Sequence, residues 1–264
     1  MSDHPRGSIL QRLAKHLRTQ DWAAAAIELA IVVLGIFLGF QVTEWNKQRQ
    51  DRAREITYLL IVASDLRDDV VEMDENARTA ASRMASLDHL LTKAGNWNPP
   101  RGYPSSRFLI KVERVPEFDE RSGYTVGIEA FILSTLDGNR FAYNTLINTG
   151  ELVVIRDQKM LREIQSYYAA VDKVRSFELS LADNRLRLLD ALQEAGISAV
   201  SGLSFDDVAA RLRERPALRA ATENYWLYAN RHLFLTKEVS KRAAILARRI
   251  ECRHGRSGGN SKCQ

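Results

Sequence analysis

The side chains in this sequence that could carry chemistry are five histidines, two cysteines, a pair of tyrosines and one run of acidic residues. The histidines are His4, His16, His89, His232 and His254. No His-Glu-x-x-His arrangement would hold a hydrolytic zinc, no Glu-x-x-His pair would build a di-iron bundle, and no Gly-rich loop would cradle a phosphate. Cys252 and Cys263 flank His254, but their spacing matches no zinc pattern and the set falls short of four ligands. They read as free thiols or as a disulfide closing a small loop in an oxidising compartment. Asp65, Asp68, Asp69 and Glu72 could hold a cation, although such a run is more often the wet face of a helix. Tyr167 and Tyr168 read as the core and rim of a helical bundle rather than a proton relay. His232 falls on the apolar face of a helix and reads as a satisfied core histidine. No catalytic, cofactor-binding or metal-binding residue follows from these patterns, and a non-enzymatic protein is expected.

Ionisable Glu28 is of another kind, because it lies in the apolar stretch Ala23 to Val42, AAAAIELAIVVLGIFLGFQV. Its 20 residues span roughly 30 Å as a helix, the thickness of a bilayer's hydrocarbon core. Trp22 and Trp45 bracket it at the level where indole rings favour lipid headgroups. A secretory signal would be shorter and would end in a small-x-small cleavage site, which Gln41-Val42-Thr43-Glu44 does not supply. A core helix would keep a polar stripe. The stretch therefore reads as a transmembrane helix. Gly35 and Gly39 form Gly-x-x-x-Gly, which lets two spans approach closely, and Glu28 lies seven residues before Gly35 on the same face. Glu28, Gly35 and Gly39 are thus a candidate helix-helix interface. Glu28 either partners across a helix dimer or reaches the headgroups for water.

Around this stretch the chain must position everything else. Gly and Pro are sparse, 14 and 6 in 264 residues, and charged residues make up 27%. Long helices in a folded domain fit that composition. The net charge is +5, and its excess is local: from Lys237 to Gln264 there are eight Lys or Arg against two acidic residues. This is either a solvated helix end or a contact for anionic lipid, worth about 1 kcal/mol per basic residue. No basic, aromatic-interleaved motif accompanies it, so nucleic acid is not expected as a partner.

Residues 1–21 read as a basic leader, either a surface-lying amphipathic helix or an unstructured tail. Residues 22–45 are the span. The count of Lys and Arg beside it is even: Arg6, Arg12, Lys15 and Arg18 against Lys47, Arg49, Arg52 and Arg54. A short leader before a large domain favours the domain outside the cytoplasm; the density of the second group favours the reverse. Beyond the span, Ile56, Leu59, Ala63, Leu66, Val70, Met73, Ala77, Ala80, Met84, Leu87, Leu91 and Ala94 alternate steps of three and four, as in a coiled coil. One helix is expected to run to about Ala94 and stop at Gly95. Residues 96–127 are irregular, with Phe108 to Val115 a short helix or strand, helix preferred. Ile128 to Leu136 and Arg140 to Asn148 read as two short helices split by Asp137-Gly138-Asn139. Asp157 caps a long helix with Leu161, Ile164, Tyr168 and Val171 on its apolar face. Ser204 caps a short one. Pro216 opens a last helix with its seam through Leu218, Tyr225, His232, Val239 and Ile250. Residues 46–251 make the helical domain and 252–264 a disordered tail. The expected fold is all-α: an N-terminal transmembrane helix continuing into an antiparallel bundle of long helices.

Two blocks carry a resemblance. One is IVVLGIFLGFQVTEWNKQRQDRAREITYLL with SDLRDD after it; the other is YNTLINTGELVVIRDQKMLREIQSYY. Together they resemble a widespread bacterial family of single-span membrane proteins known only as a domain of unknown function. Glu44-Trp45-Asn46 stands for its boundary between span and charged helix, and Thr149-Gly150 and Tyr167-Tyr168 for its turn and tyrosine-ended helix. The resemblance covers about a third of the chain and implies no catalytic residues. The sequence thus points to a protein of the bacterial inner membrane, with the lipid bilayer as its first partner. It is expected to bind a second copy of itself or a membrane or envelope protein. A sensory bundle holding a small ligand, and signalling through a separate partner, is the alternative.

Overall fold

The computed structural model describes residues 22–100, 102–104, 109–120, 130–198 and 202–254. The leader 1–21 and the residues after His254, Cys263 among them, lie outside the described residues. Apart from one small hairpin, every regular element among the described residues is helical. In chain order these are α1 (Trp22–Lys93), β1 (Gly102–Pro104), β2 (Leu109–Lys111), α2 (Phe141–Asn148), a 3-10 turn (Glu151–Val154), α3 (Gln158–Glu194), α4 (Phe205–Glu214) and α5 (Pro216–His254). The chain divides into two compact units, 1–54 and 55–264.

In the first unit, residues 25–50 of α1 are exposed throughout. Its apolar window has a mean hydropathy of 2.3 and none of it is buried; by length and composition the helix can cross a membrane. Large side chains such as Phe37 (56%), Leu38 (59%) and Phe40 (73%) stand open. A polar solvent would penalise this surface at roughly 25 cal/mol per Å².

In the second unit the heptad seam of α1 is buried except at Ile56 and Val70, which are half-buried. Asp157 caps α3, its side chain accepting from Lys159 N at 2.9 Å and Met160 N at 3.1 Å. Ser204 caps α4 in a reciprocal box with Asp207, and Pro216 is the first residue of α5, where its missing N–H costs nothing. The same logic ends α1: Gly95 follows it at φ +85°, a left-handed conformation that glycine adopts without strain.

Contacts order the three long helices. Asp157 meets Arg253, Glu163 meets Arg249 and Glu178 meets His232, so numbers rise along α3 as they fall along α5. Arg67–Glu251, Asp74–Ser240 and Asp88–Trp226 give the same relation between α1 and α5. The interior holds two apolar clusters. One gathers Leu59, Leu66, Met73, Ile164, Val171, Val174, Val239 and Ile250. The other gathers Ala77, Met84, Leu91, Leu181, Leu192, Trp226 and Leu233. Between them, at matching heights on α1, α3 and α5, lie buried Asn76, Glu178, His232 and Thr236.

Four expectations are corrected. The helix preferred for Phe108 to Val115 is absent over its described part, 109–115: Leu109–Lys111 is a strand paired antiparallel with Gly102–Pro104, Tyr103 opposite Ile110. The helix expected from Ile128 to Leu136 is absent over its described part, 130–136, which runs without helical structure to residue 140. Several of its backbone groups bond instead to side chains of α1 and α3: the carbonyls of Phe131, Ile132, Thr135 and Leu136 and the Leu136 N–H. The acidic run on α1 is not a wet face either, since Asp65 and Asp69 are 6% and 1% exposed. The last helix also continues through His254, past the expected start of the tail.

Candidate functional site

The polar residues that fill the middle of the second unit do so around one segment, Phe131 to Ala142. On α1, Asp65, Asp69, Glu72, Asn76 and Arg83 follow one another at steps of four, three, four and seven. That heptad stripe runs beside the apolar seam. On α3, Arg175, Glu178 and Arg185 do the same. The two stripes satisfy nine main-chain groups of the segment. Arg185 Nε donates to Phe131 O at 2.6 Å and Arg83 Nε to Ile132 O at 2.8 Å. Asn76 Nδ2 donates to Thr135 O at 3.2 Å, and Arg175 Nε to Leu136 O at 3.1 Å. On the donor side, Leu136 N–H reaches Glu178, Asp137 and Gly138 N–H reach Glu72, Asn139 N–H reaches Asp69 at 2.5 Å, and Ala142 N–H reaches Asp65 at 2.9 Å. Burying a main chain without a ladder would leave each group at a cost of about 1–3 kcal/mol. These side chains remove that cost.

Burial marks the titration of the cluster. Burial raises the pKa of Asp65 above the ordinary carboxylate value, against the hydrogen bond from Ala142 N–H. It raises Asp69 likewise, although Tyr167 Oη donates to it at 2.6 Å. Tyr167 itself is pushed up, by burial first and by the Asp69 charge second. Burial lowers His232, whose Nε2 lies 3.1 Å from Glu178 Oε1, and lowers Arg83, although both sit near Glu178. The two terminal nitrogens of Arg83, the hydroxyls of Ser86 and Tyr225, and His232 Nδ1 are buried without a hydrogen-bond partner.

The chain itself occupies this slot, so the polar interior is structural ground rather than an open ligand site. Near its far end Asp88 accepts from both Trp97 Nε1 (3.0 Å) and Trp226 Nε1 (2.8 Å), with the two indoles edge to face at 5.2 Å. Tyr168 stacks on Tyr143 at 4.2 Å. His232 is fully buried beside Glu178, and Tyr167 and Tyr168 are both core residues. Among the described residues, no three His, Cys, Asp or Glu side chains are placed to hold a metal ion.

The residues singled out in the apolar stretch are not brought against anything. Glu28 is exposed, and nothing lies within 4 Å of a Cβ built on Gly35 or Gly39. One local bond is present, Thr43 Oγ1 donating to Gly39 O at 2.9 Å. Cys252 lies in the last turn of α5 and is not a free thiol; Cys263 is outside the described residues. The sequence reading missed Asn76, Arg83, Arg175, Glu178 and Arg185. A signal existed: polar residues repeating at heptad spacing next to an apolar seam mark a second buried stripe. Comparison with protein-family models, with curated proteins and with solved structures finds no match.

Proposed function

We propose that the apolar part of α1 anchors this chain in a membrane, as a single span, and that residues 55–264 form an antiparallel helical bundle acting by binding rather than by catalysis. On this reading the partner is a second copy of the chain or another membrane or envelope protein. The bundle belongs outside the cytoplasm of a bacterial inner membrane. One observation carries the proposal: residues 25–50 form a continuous helix with every side chain exposed and a mean hydropathy of 2.3 in its apolar window. Such a surface is stable only against lipid or another apolar surface. The open face at Gly35 and Gly39 supports a second span as neighbour, because small residues let backbones approach and gain van der Waals contact that lipid does not match.

Cross-linking in native membranes tests this. The parent chain should give a dimer band, and Gly35→Leu with Gly39→Leu, which fills the groove but keeps hydrophobicity, should insert normally and lose the band. No dimer band in the parent would remove self-association from the proposal. Extraction of the chain by carbonate wash would remove the membrane anchor.

A further inference from the structure

Between α3 and α5 lies an open cleft of ≈ 330 Å³, lined by Lys159, Arg162, Glu163, Ser166, Tyr167, Arg242, Ile245, Leu246 and Arg249. The lining is two facing stripes. Lys159, Arg162, Glu163 and Ser166 follow helical spacing on α3; Arg242, Ile245, Leu246 and Arg249 do so on α5. Arg249 is tied across the cleft to Glu163. With Glu163 subtracted from the four cations, the cleft keeps a net charge of three positive units.

The distribution of partners is what marks the cleft. Elsewhere in this domain, many cations between elements have a partner: Arg253 pairs with Asp157, Arg67 with Glu251, Arg140 with Asp172 and Lys237 with Glu113, while Arg83, Arg175 and Arg185 donate to main-chain carbonyls. Lys159, Arg162 and Arg242 line one cavity, and their side chains make no ion pair or hydrogen bond among the described residues. Like charges lining one cavity repel, and an anion among them would turn that repulsion into attraction. The floor is of the opposite character. Leu246 is 5% exposed and Tyr167 2%, and the Tyr167 hydroxyl is turned to Asp69. Ile245, 49% exposed, forms an apolar rim.

We propose that this cleft binds a phosphate-bearing ligand. Arg162 and Arg242 would take the phosphate oxygens in paired, charge-assisted hydrogen bonds, and Lys159 would act as a point charge. The Tyr167, Leu246 and Ile245 surface would take the apolar part of the ligand. The volume lies within the usual range of small-ligand sites, roughly 300–1,000 Å³. A phospholipid headgroup and free phosphate offer the same anion. The inference does not depend on the span's self-association.

Calorimetric titration of the full chain in nonionic detergent micelles tests the proposal. Inorganic phosphate is one probe; micelles doped with phosphatidylglycerol or with phosphatidylcholine are the others. Arg162→Gln with Arg242→Gln keeps the aliphatic stems, and both positions are exposed, so the melting midpoint should match the parent. Lys173→Ala with Lys241→Ala removes the same charge from exposed positions outside the cleft. The parent should bind a phosphate probe saturably, and the Arg162/Arg242 variant should weaken it by about tenfold or more, the loss expected for two charge-assisted contacts. The lysine control should change it by less than about twofold, as distant exposed charges do. Tighter binding of phosphatidylglycerol than of inorganic phosphate assigns a lipid source; equal affinity assigns free phosphate. No saturable binding of either probe, or equal weakening by the lysine control, overturns the proposal.

Discussion

Glu178 accepts the backbone N–H of Leu136 with both carboxylate oxygens, at 3.0 and 3.2 Å, from 42 residues further along the chain. The same carboxylate stands 3.1 Å from His232 Nε2. One side chain of α3 therefore ties the segment 131–142 to α5, in the polar layer between two apolar clusters.

Removing that link should be costly. Glu178→Ala leaves the Leu136 N–H and the His232 ring buried without an acceptor, which should cost about 3 kcal/mol. For a domain of this size that lowers the melting midpoint by about 6–12 °C. Glu178→Gln keeps one acceptor and should lose less than half as much. Circular dichroism melts of the full chain in detergent check both. Equal loss in the two variants would show that the acceptor is not what matters.

The polar layer should also give the fold a pH dependence. Burial depresses the pKa of His232 below the ordinary imidazole value of 6.5. Below about pH 6.5 the unfolded chain takes up a proton that the folded chain refuses, so the stability held by neutral His232 is complete above that pH and is lost as pH falls beneath it. Asp65, Asp69 and Asp88, raised above 3.8, act in the opposite direction: their contribution falls as pH rises from 3.8 through their folded values. Comparing the parent with His232→Gln isolates the histidine. The parent should lose more in melting midpoint between pH 7.5 and 5.0 than the variant; an equal loss in both would mean His232 does not set the acid limb.

How much of this was legible in the sequence follows from where the hydrogen bonds go. The seam from Leu59 to Ala94 was readable because helix bonds are local and packing against neighbouring helices needs only the 3.5-residue period. The caps at Asp157 and Ser204 were readable for the same local reason. The segment 131–142 was not. Its carbonyls and N–H groups are matched to Asn76, Arg83, Arg175, Glu178 and Arg185, dozens of residues away, and no local periodicity encodes such partners. The acidic run was visible, but the local pattern does not distinguish Asp69, which holds Asn139 and Tyr167, from Asp68, which faces solvent. The proposed phosphate cleft is split between α3 and α5, so only Arg242 and Arg249 stood out, within the basic stretch from Lys237, while Lys159 and Arg162 did not.

Position within α1 should decide the effect of a charge. Leu66 is fully buried and Val71, five residues on, is 62% exposed. Leu66→Asp should cost at least about 3 kcal/mol, from the lost apolar contact and an unpaired buried charge. Val71→Asp should stay within about 0.5 kcal/mol, the range of ordinary surface substitutions. Equal melting midpoints for the two variants would contradict the burial of the seam.

The last expectation concerns the turn that carries the segment past α1. Gly138 sits at φ +62°, its N–H donating to Glu72 Oε2 at 3.0 Å. A Cβ built there would meet Val171 Cγ1 at 3.4 Å and Asp69 Oδ1 at 3.9 Å, ordinary contacts. Space is therefore not the obstacle, and the penalty of substitution is the left-handed backbone alone, about 1–2 kcal/mol for an L-residue. Gly138→Ala should lower the melting midpoint by about 2–8 °C on that basis. Gly138→Asn should lose less, since asparagine visits this conformation more readily. Gly196→Ala, at φ +75° with open space around it, supplies the comparison. If strain is the whole effect, the two alanine variants should agree. A Gly138→Ala loss several times the Gly196→Ala loss would instead mean that the turn cannot shift at all, and that the bonds from residues 137–139 to Glu72 and Asp69 fix its position rigidly.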